Sequence, residues 1–299
     1  MIGNVSPWLL LVFSMTACLA ATIIRKFCVN AAVSIRLFGF FYNTVVSLTA
    51  AVVLFLTGGF SSVSRFTLLL GLVFGAVTAA GQIFNIRAID SGPLSYTSVI
   101  NALASVLPTL CGVLFWGETI APIQWAGIVL MLFCMILSVE KKENEKGKSV
   151  KWLLYCGVSF LCTGTVGILQ KWHQNTEYKD ELTPFLIIAF AFSAFTSIVG
   201  QITERKKGTG AGGLTKLRVP VTVALLLVGG VCVAMNNKWN LYLSGVMDSA
   251  VFFPIVNGGG LVLTTLAAFI VFKEKLSEKQ RLGICLGILS VIFVCNPFQ

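Results

Sequence analysis

An internal repeat is the sequence feature that most constrains the fold of this chain. Glu118 and Glu274 are 156 residues apart, and each follows one apolar stretch and precedes another. At the same offset Asn101 aligns with Asn257. The chain is therefore predicted to use one helical unit twice. In membrane proteins, paired units of this kind commonly enclose a solute-binding site between them.

Composition assigns the two units to a lipid bilayer. Hydrophobic residues form 56% of the 299 residues and charged residues only 11%, which is far from the balance of a soluble domain. The net charge of +10 comes from basic residues that flank apolar stretches, so we expect the bilayer, and not nucleic acid, as the partner. The nine cysteines form no Cys-x-x-Cys motif, and the lone His173 cannot complete a metal set. We expect no metal and no cofactor.

The apolar stretches are long enough to cross the hydrocarbon as helices, because about 20 residues rising 1.5 Å each span it. Ten stretches qualify, at residues 7–27, 35–57, 66–88, 93–116, 122–139, 151–171, 183–203, 219–241, 248–272 and 279–296. The charged segment 140–150 divides them into five and five. We predict a first five-helix unit at residues 1–139 and a second at residues 151–299.

An odd number of spans in each unit makes the second unit enter the membrane from the side opposite to the first. The predicted fold is an all-α integral membrane protein of ten transmembrane helices, built as two inverted five-helix repeats in the plasma membrane. Of the 22 Lys and Arg residues, 18 lie in loops that follow odd-numbered spans. The positive-inside rule then places those loops in the cytoplasm and both termini outside.

The fourth and fifth spans of each unit carry a recognisable pattern. An apolar span ends at Glu118 or Glu274, and a proline-started or capped helix with an internal glycine follows; Pro108 also fits the pattern. The chain in this respect resembles the drug/metabolite transporter superfamily, specifically its EamA-like ten-helix members. The resemblance implies a secondary transporter of small organic solutes, commonly an exporter of amino acids or related metabolites. Thr264 stands where the family pattern has proline, and such families usually place their termini in the cytoplasm, against the Lys and Arg count.

Polar side chains inside the spans are the candidates for substrate binding, because such groups usually face a bundle interior or a water-filled cavity. Asn101 and Asn257 each lie about 5 Å from the middle of their spans. Since the two spans run in opposite directions, the amides are expected about 10 Å apart in depth. That separation suits a small neutral or zwitterionic metabolite. The alternative is that each amide forms an interhelical hydrogen bond.

Further candidates come from the third, fourth and eighth spans. They are Gln82, Asn85, Tyr96, Asn237, Asn240 and Trp239. Gln82 and Asn85 share one helical face, and a repeat shift of 155 residues aligns them with Asn237 and Asn240. Trp239 would supply a ring wall in the same turn. Asn236 also shares a face with Asn240. Tyr42, Asn43 and Tyr96 are weaker candidates, because a tyrosine often only anchors a helix at the interface.

The ninth span carries the strongest signal for an interrupted helix. Pro254 removes a backbone donor, and Gly258, Gly259 and Gly260 follow at mid-membrane depth. Exposed backbone groups at this depth need protein or a cavity to satisfy them. Close helix packing through small residues is the alternative reading, and it requires no ligand.

Charged residues at span ends receive no chemical role from the sequence. Glu118 and Glu274 are expected on opposite membrane faces, each stabilised by solvent and a neighbouring helix N-terminus. Lys171 and Lys238 are expected to extend toward the interface. The alternative for Lys238 is that it supplies a cation to the site in the same turn as Trp239.

The sequence as a whole favours a secondary transporter that moves a small polar metabolite by alternating access. An amino acid or related solute is the expected cargo, and export the expected direction. A coupling proton or ion is left open. Two alternatives remain open as well: an intramembrane enzyme for lipid-linked substrates, which would use Glu177, Asp180 and Glu181, and a membrane scaffold or sensor that transports nothing.

Overall fold

The apolar stretches fold into a bundle of helices in the computed structural model. It describes residues 5–30, 32, 35–60, 63–91, 94–137, 150–206, 219–272 and 277–295. The helices are α1 (Pro7–Asn30), α2 (Ile35–Gly58), α3 (Arg65–Ser91), α4 (Leu94–Leu103), α5 (Val106–Trp116), α6 (Pro122–Leu137), α7 (Val150–Gln174), α8 (Leu182–Lys206), α9 (Val219–Val246), α10 (Ser249–Pro254), α11 (Gly260–Phe272) and α12 (Glu278–Cys295). A 3-10 turn at Lys179–Glu181 precedes α8, and a π-helical segment at Ile255–Gly259 joins α10 to α11.

Seven of the described helices are long and apolar enough to cross a membrane. They correspond to α1, α2, α3, α7, α8, α9 and the continuous α10–α11 segment. The other three expected spans differ for local reasons. The fourth is broken into α4 and α5, the fifth is the 16-residue α6, and α12 carries charged Glu278, Lys279 and Arg281 in its first turn.

The break between α4 and α5 follows from Pro108. A proline ring has no N–H and clashes with the carbonyl four residues earlier, which here is that of Ala104. The chain turns tightly at this point, where the Ala104 and Ser105 amides donate to carbonyls only three residues back. The expected single span at residues 93–116 is therefore two helices that meet at mid-length.

Pro254 has a milder effect on the ninth span. The chain stays helical through it, and residues Ile255–Gly259 widen into a π-helix. This local widening is a common response to a residue that cannot join the regular hydrogen-bond ladder. The interrupted helix expected near Gly258 is thus a change of helical type, and not a loop.

Helices from the two predicted units interleave throughout the bundle. The principal packed pairs are α1 with α9, α2 with α8, α2 with α9, α3 with α7, α3 with α8, and α6 with α12. The largest core cluster lies between α2, α3, α7, α8 and α9, and it includes fully buried Leu54, Leu186 and Leu241. Each unit is therefore packed chiefly against the other one.

The bundle has two ends, which we call the first face, where α1 begins, and the second face, where α1 ends. Helix ends contact each other at the first face. Just before α3, the Ser64 amide donates a hydrogen bond at 3.0 Å to the Glu181 carboxylate, which lies just before α8. His173 near the end of α7 lies 3.4 Å from Thr67 near the start of α3. Glu274 and the predicted linker, apart from Val150, lie outside the described residues.

Candidate functional site

A cavity of about 200 Å³ lies inside the bundle, where five helices from both predicted units meet. It is lined by residues of α1, α2, α3, α8 and α9, namely Cys18, Ala21, Thr22, Arg25, Tyr42, Asn43, Val46, Ser47, Gln82, Phe190, Val233 and Asn236. We call it the central cavity. Most of these residues lie near the middle of their helices, and Thr22 and Arg25 are exposed toward the second face. The volume is below the range of about 300–1,000 Å³ typical for drug-sized ligands, so the cavity suits a small solute.

Gln82 is the amide in the central cavity whose hydrogen-bonding groups are available. Within the part of the chain that the structure describes, its side chain forms no hydrogen bond. One helical turn earlier on the same face of α3, Thr78 has a buried hydroxyl that also finds no partner among the described residues. Buried polar groups are normally paired, so an unpaired hydroxyl beside a free amide indicates a place for a polar solute.

The other two amides of the central cavity are held in place by hydrogen bonds to serines of neighbouring helices. The side-chain nitrogen of Asn43 donates to Ser193 Oγ at 3.3 Å and also to Ser197 Oγ. The side-chain nitrogen of Asn236 donates to the Ser14 carbonyl at 2.9 Å. These contacts link α2 to α8 and α9 to α1, and they fix the orientation of both amides at the cavity wall.

Aromatic and cationic side chains complete the lining. Phe190 and Tyr42 supply ring surfaces, and the Arg25 guanidinium lies 5.8 Å from the centre of the Tyr42 ring. A guanidinium over an aromatic face is stabilised by the ring quadrupole. The cavity therefore combines the free amide of Gln82 with hydroxyls, ring faces and one cation at its second-face end.

A larger cavity of about 970 Å³ opens at the first face. Its lining comes from α2, the α7–α8 connection, α8 and α9, and comprises Thr57, Gln174, Asn175, Thr176, Lys179, Asp180, Leu182, Thr183, Lys238, Tyr242, Gly245 and Val246. We call it the vestibule. Along α2 and α8, buried Ala50, Leu54, Leu186 and Ala189 lie between the residues that line the vestibule and those that line the central cavity. This apolar layer separates the two cavities.

A buried ion pair joins the two predicted units near the first face. Lys171 Nζ lies 2.7 Å from Glu118 Oε1, and the two side chains are only 6% and 8% exposed. Lys171 also donates to the Met247 carbonyl at 3.0 Å, and Glu118 Oε2 accepts from the Ser249 amide at 2.7 Å. The expectation that Lys171 extends to the interface is wrong, because a carboxylate and a helix-terminal carbonyl satisfy its ammonium inside the protein. Glu118 does meet a helix N-terminus, but protein and not solvent surrounds it.

Asn101 and Asn85, both predicted to bind substrate, are hydrogen-bonded to each other. The Asn101 amide nitrogen donates to Asn85 Oδ1 at 3.1 Å, and Asn101 Oδ1 accepts from Ser159 Oγ at 2.8 Å. Asn85 lies one turn beyond Gln82 on α3, so this network continues the polar face that begins in the central cavity. These contacts are of the interhelical kind that the sequence left as the alternative.

The amides predicted in the second unit are also engaged, and they are spread apart. Asn257 and Asn237 each donate to the carbonyl four residues earlier, at 3.0 and 2.9 Å. Asn240 accepts from Ser14 Oγ, and Trp239 packs its ring 6.0 Å from Phe13. None of these four residues lines either described cavity. The side chain of Tyr96 lies outside the part of the structure that is described.

The acidic residues considered for an enzyme do not form a cluster inside the bundle. Glu177 and Asp180 are exposed in the α7–α8 connection. Glu181 binds the backbone and hydroxyl of Ser64, at 3.0 and 2.8 Å, and so caps the start of α3.

Several lining residues had only weak signals in the sequence. Asn236 is a candidate from the sequence because it lies one turn before Asn240. Ser47 is not, although it lies one turn after Asn43 on α2, where a search for polar residues at helical spacing would have found it. Nothing in the sequence pairs Lys171 with Glu118, because the two residues lie in different predicted units.

Comparison with known proteins places the chain in a family. The profile of the Sugar transport protein family matches residues 20–297. The glucose uptake protein GlcU of Staphylococcus xylosus is 24% identical over 262 residues, which cover 84% of each chain. The "Probable glucose uptake protein GlcU" of Bacillus cereus is 25% identical over 231 residues, or 74% of this chain and 75% of that protein. An uncharacterized protein of Haemophilus influenzae is 22% identical over 74% of this chain and 73% of its own length.

A solved crystal structure shares the fold. It superposes with a TM-score of 0.72 over 96% of each chain, at 14% sequence identity. The relatives do not support the expected export of an amino acid, and the narrower EamA-like resemblance stays a prediction. The family profile covers nearly the whole chain. The long apolar helices of the chain are those of a multi-pass membrane protein. The chain therefore belongs to the Sugar transport protein family and is a multi-pass integral membrane transporter of the cell membrane.

Proposed function

We propose that this protein takes up a sugar by alternating access and binds it in the central cavity. The observation that carries the proposal is the free amide of Gln82 in a polar and aromatic cavity at mid-bundle, in a chain of the sugar transport family. Relatives named for glucose uptake support a sugar as the cargo and uptake as the direction.

The chemistry of the central cavity suits a sugar. Each sugar hydroxyl both donates and accepts hydrogen bonds, and an amide such as that of Gln82 offers both partners. The Asn43 carbonyl oxygen faces no donor among the described residues, so it adds an acceptor. The less polar faces of a sugar ring would pack on Phe190 and Tyr42. We propose that Asn85 and Asn101 extend this polar wall along α3 and α4.

The packing of the helices supports an inverted repeat as the basis of alternating access. Exchanging the two predicted units turns the α1–α9 contact into α7–α3, and the α3–α8 contact into α9–α2; all four contacts occur. The α2–α8 and α6–α12 contacts each map onto themselves, and both are extensive. In transporters built from inverted repeats, rocking of one repeat against the other opens the site to the two sides in turn.

The asymmetry of the two cavities supports one such conformation. The apolar layer that includes Leu54 and Leu186 separates the central cavity from the vestibule, while Arg25 and Thr22 at its other end are exposed. We therefore propose that this structure represents the state in which the binding site opens to the second face.

Replacement of Gln82 by Met tests the site. The variant keeps the side chain's length and removes its hydrogen-bonding groups, so we expect sugar uptake into proteoliposomes to fall at least about tenfold, as loss of a buried polar contact predicts. Gln201→Met is the matched control, because Gln201 is a half-buried glutamine of α8 that lines neither cavity. Equal uptake by both variants, with both folded, would exclude the central cavity as the binding site.

A further inference from the structure

We propose that the sugar carried by this protein is an acidic one, bearing a carboxylate, and that Arg25 and Lys238 bind the carboxylate on the two sides of the apolar layer. The inference rests on the proposed function and names the substrate class more narrowly. It follows from the placement of charge along the two cavities.

The central cavity carries a cation and no acidic residue in its lining. Arg25 is its one charged lining residue. Among the residues that the structure describes, Arg25 meets no carboxylate, and its contact is with the face of the Tyr42 ring. No hydrogen bond engages the N–H groups of Arg25 among the described residues, so they are available to a solute. Those groups form a fork that matches the two oxygens of a carboxylate.

The vestibule repeats this arrangement on the other side of the apolar layer. Lys238 is half-buried in its lining, and it forms no hydrogen bond or ion pair with any part of the chain that the structure describes. Lys179 and Asp180, which are both exposed, add one charge of each sign to the lining. A half-buried ammonium without a partner is stabilised by an anionic solute.

Other cations deeper in the bundle are not free in this way. Lys171 is neutralised by Glu118 at 2.7 Å. Arg25 on α1 and Lys238 on α9 meet no carboxylate among the described residues, and both line a cavity through which a solute would pass. Lys179, the remaining lining cation, is exposed in the α7–α8 connection. As the apolar layer opens, the sugar carboxylate would pass from the Arg25 guanidinium to the Lys238 ammonium or back. The sugar hydroxyls would bind Gln82.

Three sugars that share one ring and differ in charge test the proposal. They are glucuronate, which is an anion, glucose, which is neutral, and glucosamine, which is a cation. We would measure their affinities for the purified full-length protein from ligand-dependent thermal stabilisation at constant ionic strength. We expect glucuronate to bind about tenfold more tightly than glucose, because one charge-assisted hydrogen bond supplies a difference in affinity of that size. Glucosamine should bind more weakly than glucose.

Variants assign the preference to individual residues. Arg25→Gln should weaken glucuronate binding more than glucose binding, so that the affinity ratio of the two sugars falls about tenfold, whereas Arg25→Lys should retain part of the preference. Lys238→Gln should slow glucuronate uptake relative to glucose uptake. Lys206→Gln is the control of equal charge change, since Lys206 is exposed at the end of α8 and lines neither cavity.

Either of two results would overturn the proposal while leaving sugar transport intact. One is equal or weaker binding of glucuronate than of glucose by the wild type. The other is a glucuronate preference that Arg25→Gln changes no more than Lys206→Gln does. A protein that binds none of the three sugars would instead contradict the proposed function itself.

Discussion

Gln82 keeps its amide free inside a bundle whose other cavity amides are hydrogen-bonded to protein. Asn43 and Asn236 are tied to serines of neighbouring helices, at 3.3 and 3.0 Å, and so act as fixed walls. A solute entering the central cavity would meet Gln82 without displacing an existing protein contact. This difference between fixed and free amides is what makes Gln82 the residue to test first.

Glu118 and Lys171 form the strongest residue-scale constraint outside the central cavity. Removing one partner of a buried ion pair leaves an uncompensated charge, so Glu118→Gln or Lys171→Met should each destabilise the fold by about 3–5 kcal/mol. Because each single change already breaks the pair, the double variant should lose much less than the sum of the two. Thermal unfolding of the four proteins in one detergent measures this coupling. Additive losses would show that the pair contributes no interaction.

The sequence identified Gln82 as a candidate because a polar side chain in an apolar stretch is rare and therefore informative. It did not identify the Glu118–Lys171 pair. Both residues occupy span ends, where a charged side chain is ordinary, and only the fold brings α5 and α7 together. Long-range pairing of this kind has no local signature.

At the scale of the helices, small residues decide how closely the two predicted units approach. A Cβ atom added to Gly75 of α3 would lie 2.7 Å from the Ala189 carbonyl oxygen of α8. A Cβ added to Gly157 of α7 would meet nothing within 4 Å. The α3–α8 contact therefore depends on the absence of a side chain at Gly75.

Alanine at these two glycines gives a matched comparison. Gly75→Ala should destabilise the protein by about 1–3 kcal/mol, because backbone must move to accept the methyl group. Gly157→Ala should be neutral or stabilise by up to about 1 kcal/mol, since alanine favours the helix. Thermal unfolding compares them directly. Equal effects of the two changes would contradict the close α3–α8 packing.

The helices themselves were largely predictable, and their interruptions were not. Long apolar runs predicted α1, α2, α3, α7, α8 and α9 to within a few residues of either end. Pro108 breaks the fourth span, whereas Pro254 only widens the ninth into a π-helix. Both prolines remove one hydrogen bond, so the difference comes from how neighbouring helices pack, which the sequence does not display.

The proposed alternating access requires α2 and α8 to change their relation at the first face. The end of α2 and the start of α8 touch there, with Gly58 close to the Thr183 side chain. A Cβ at Gly58 would lie 3.2 Å from the Thr183 Cβ, near the separation of about 3.5–4.5 Å found in disulfides.

A disulfide at that contact should stop transport reversibly. We expect the Gly58→Cys/Thr183→Cys protein to lose sugar uptake on oxidation and to recover it with dithiothreitol. Sugar binding should persist in the oxidised protein, because the central cavity remains accessible from the second face. Each single cysteine variant serves as a control for the oxidant. Full uptake by the cross-linked protein would contradict an alternating-access movement between these helices.

Cys18 lies in the lining of the central cavity, and its thiol offers a native reporter of a sugar bound there. The measurement is the rate at which a small water-soluble thiol reagent modifies Cys18, followed by peptide mass spectrometry with and without sugar. A bound sugar should slow the modification of Cys18 in the wild type and should give no such protection in the Gln82→Met variant. A transported sugar that leaves the Cys18 rate unchanged would contradict binding in this cavity.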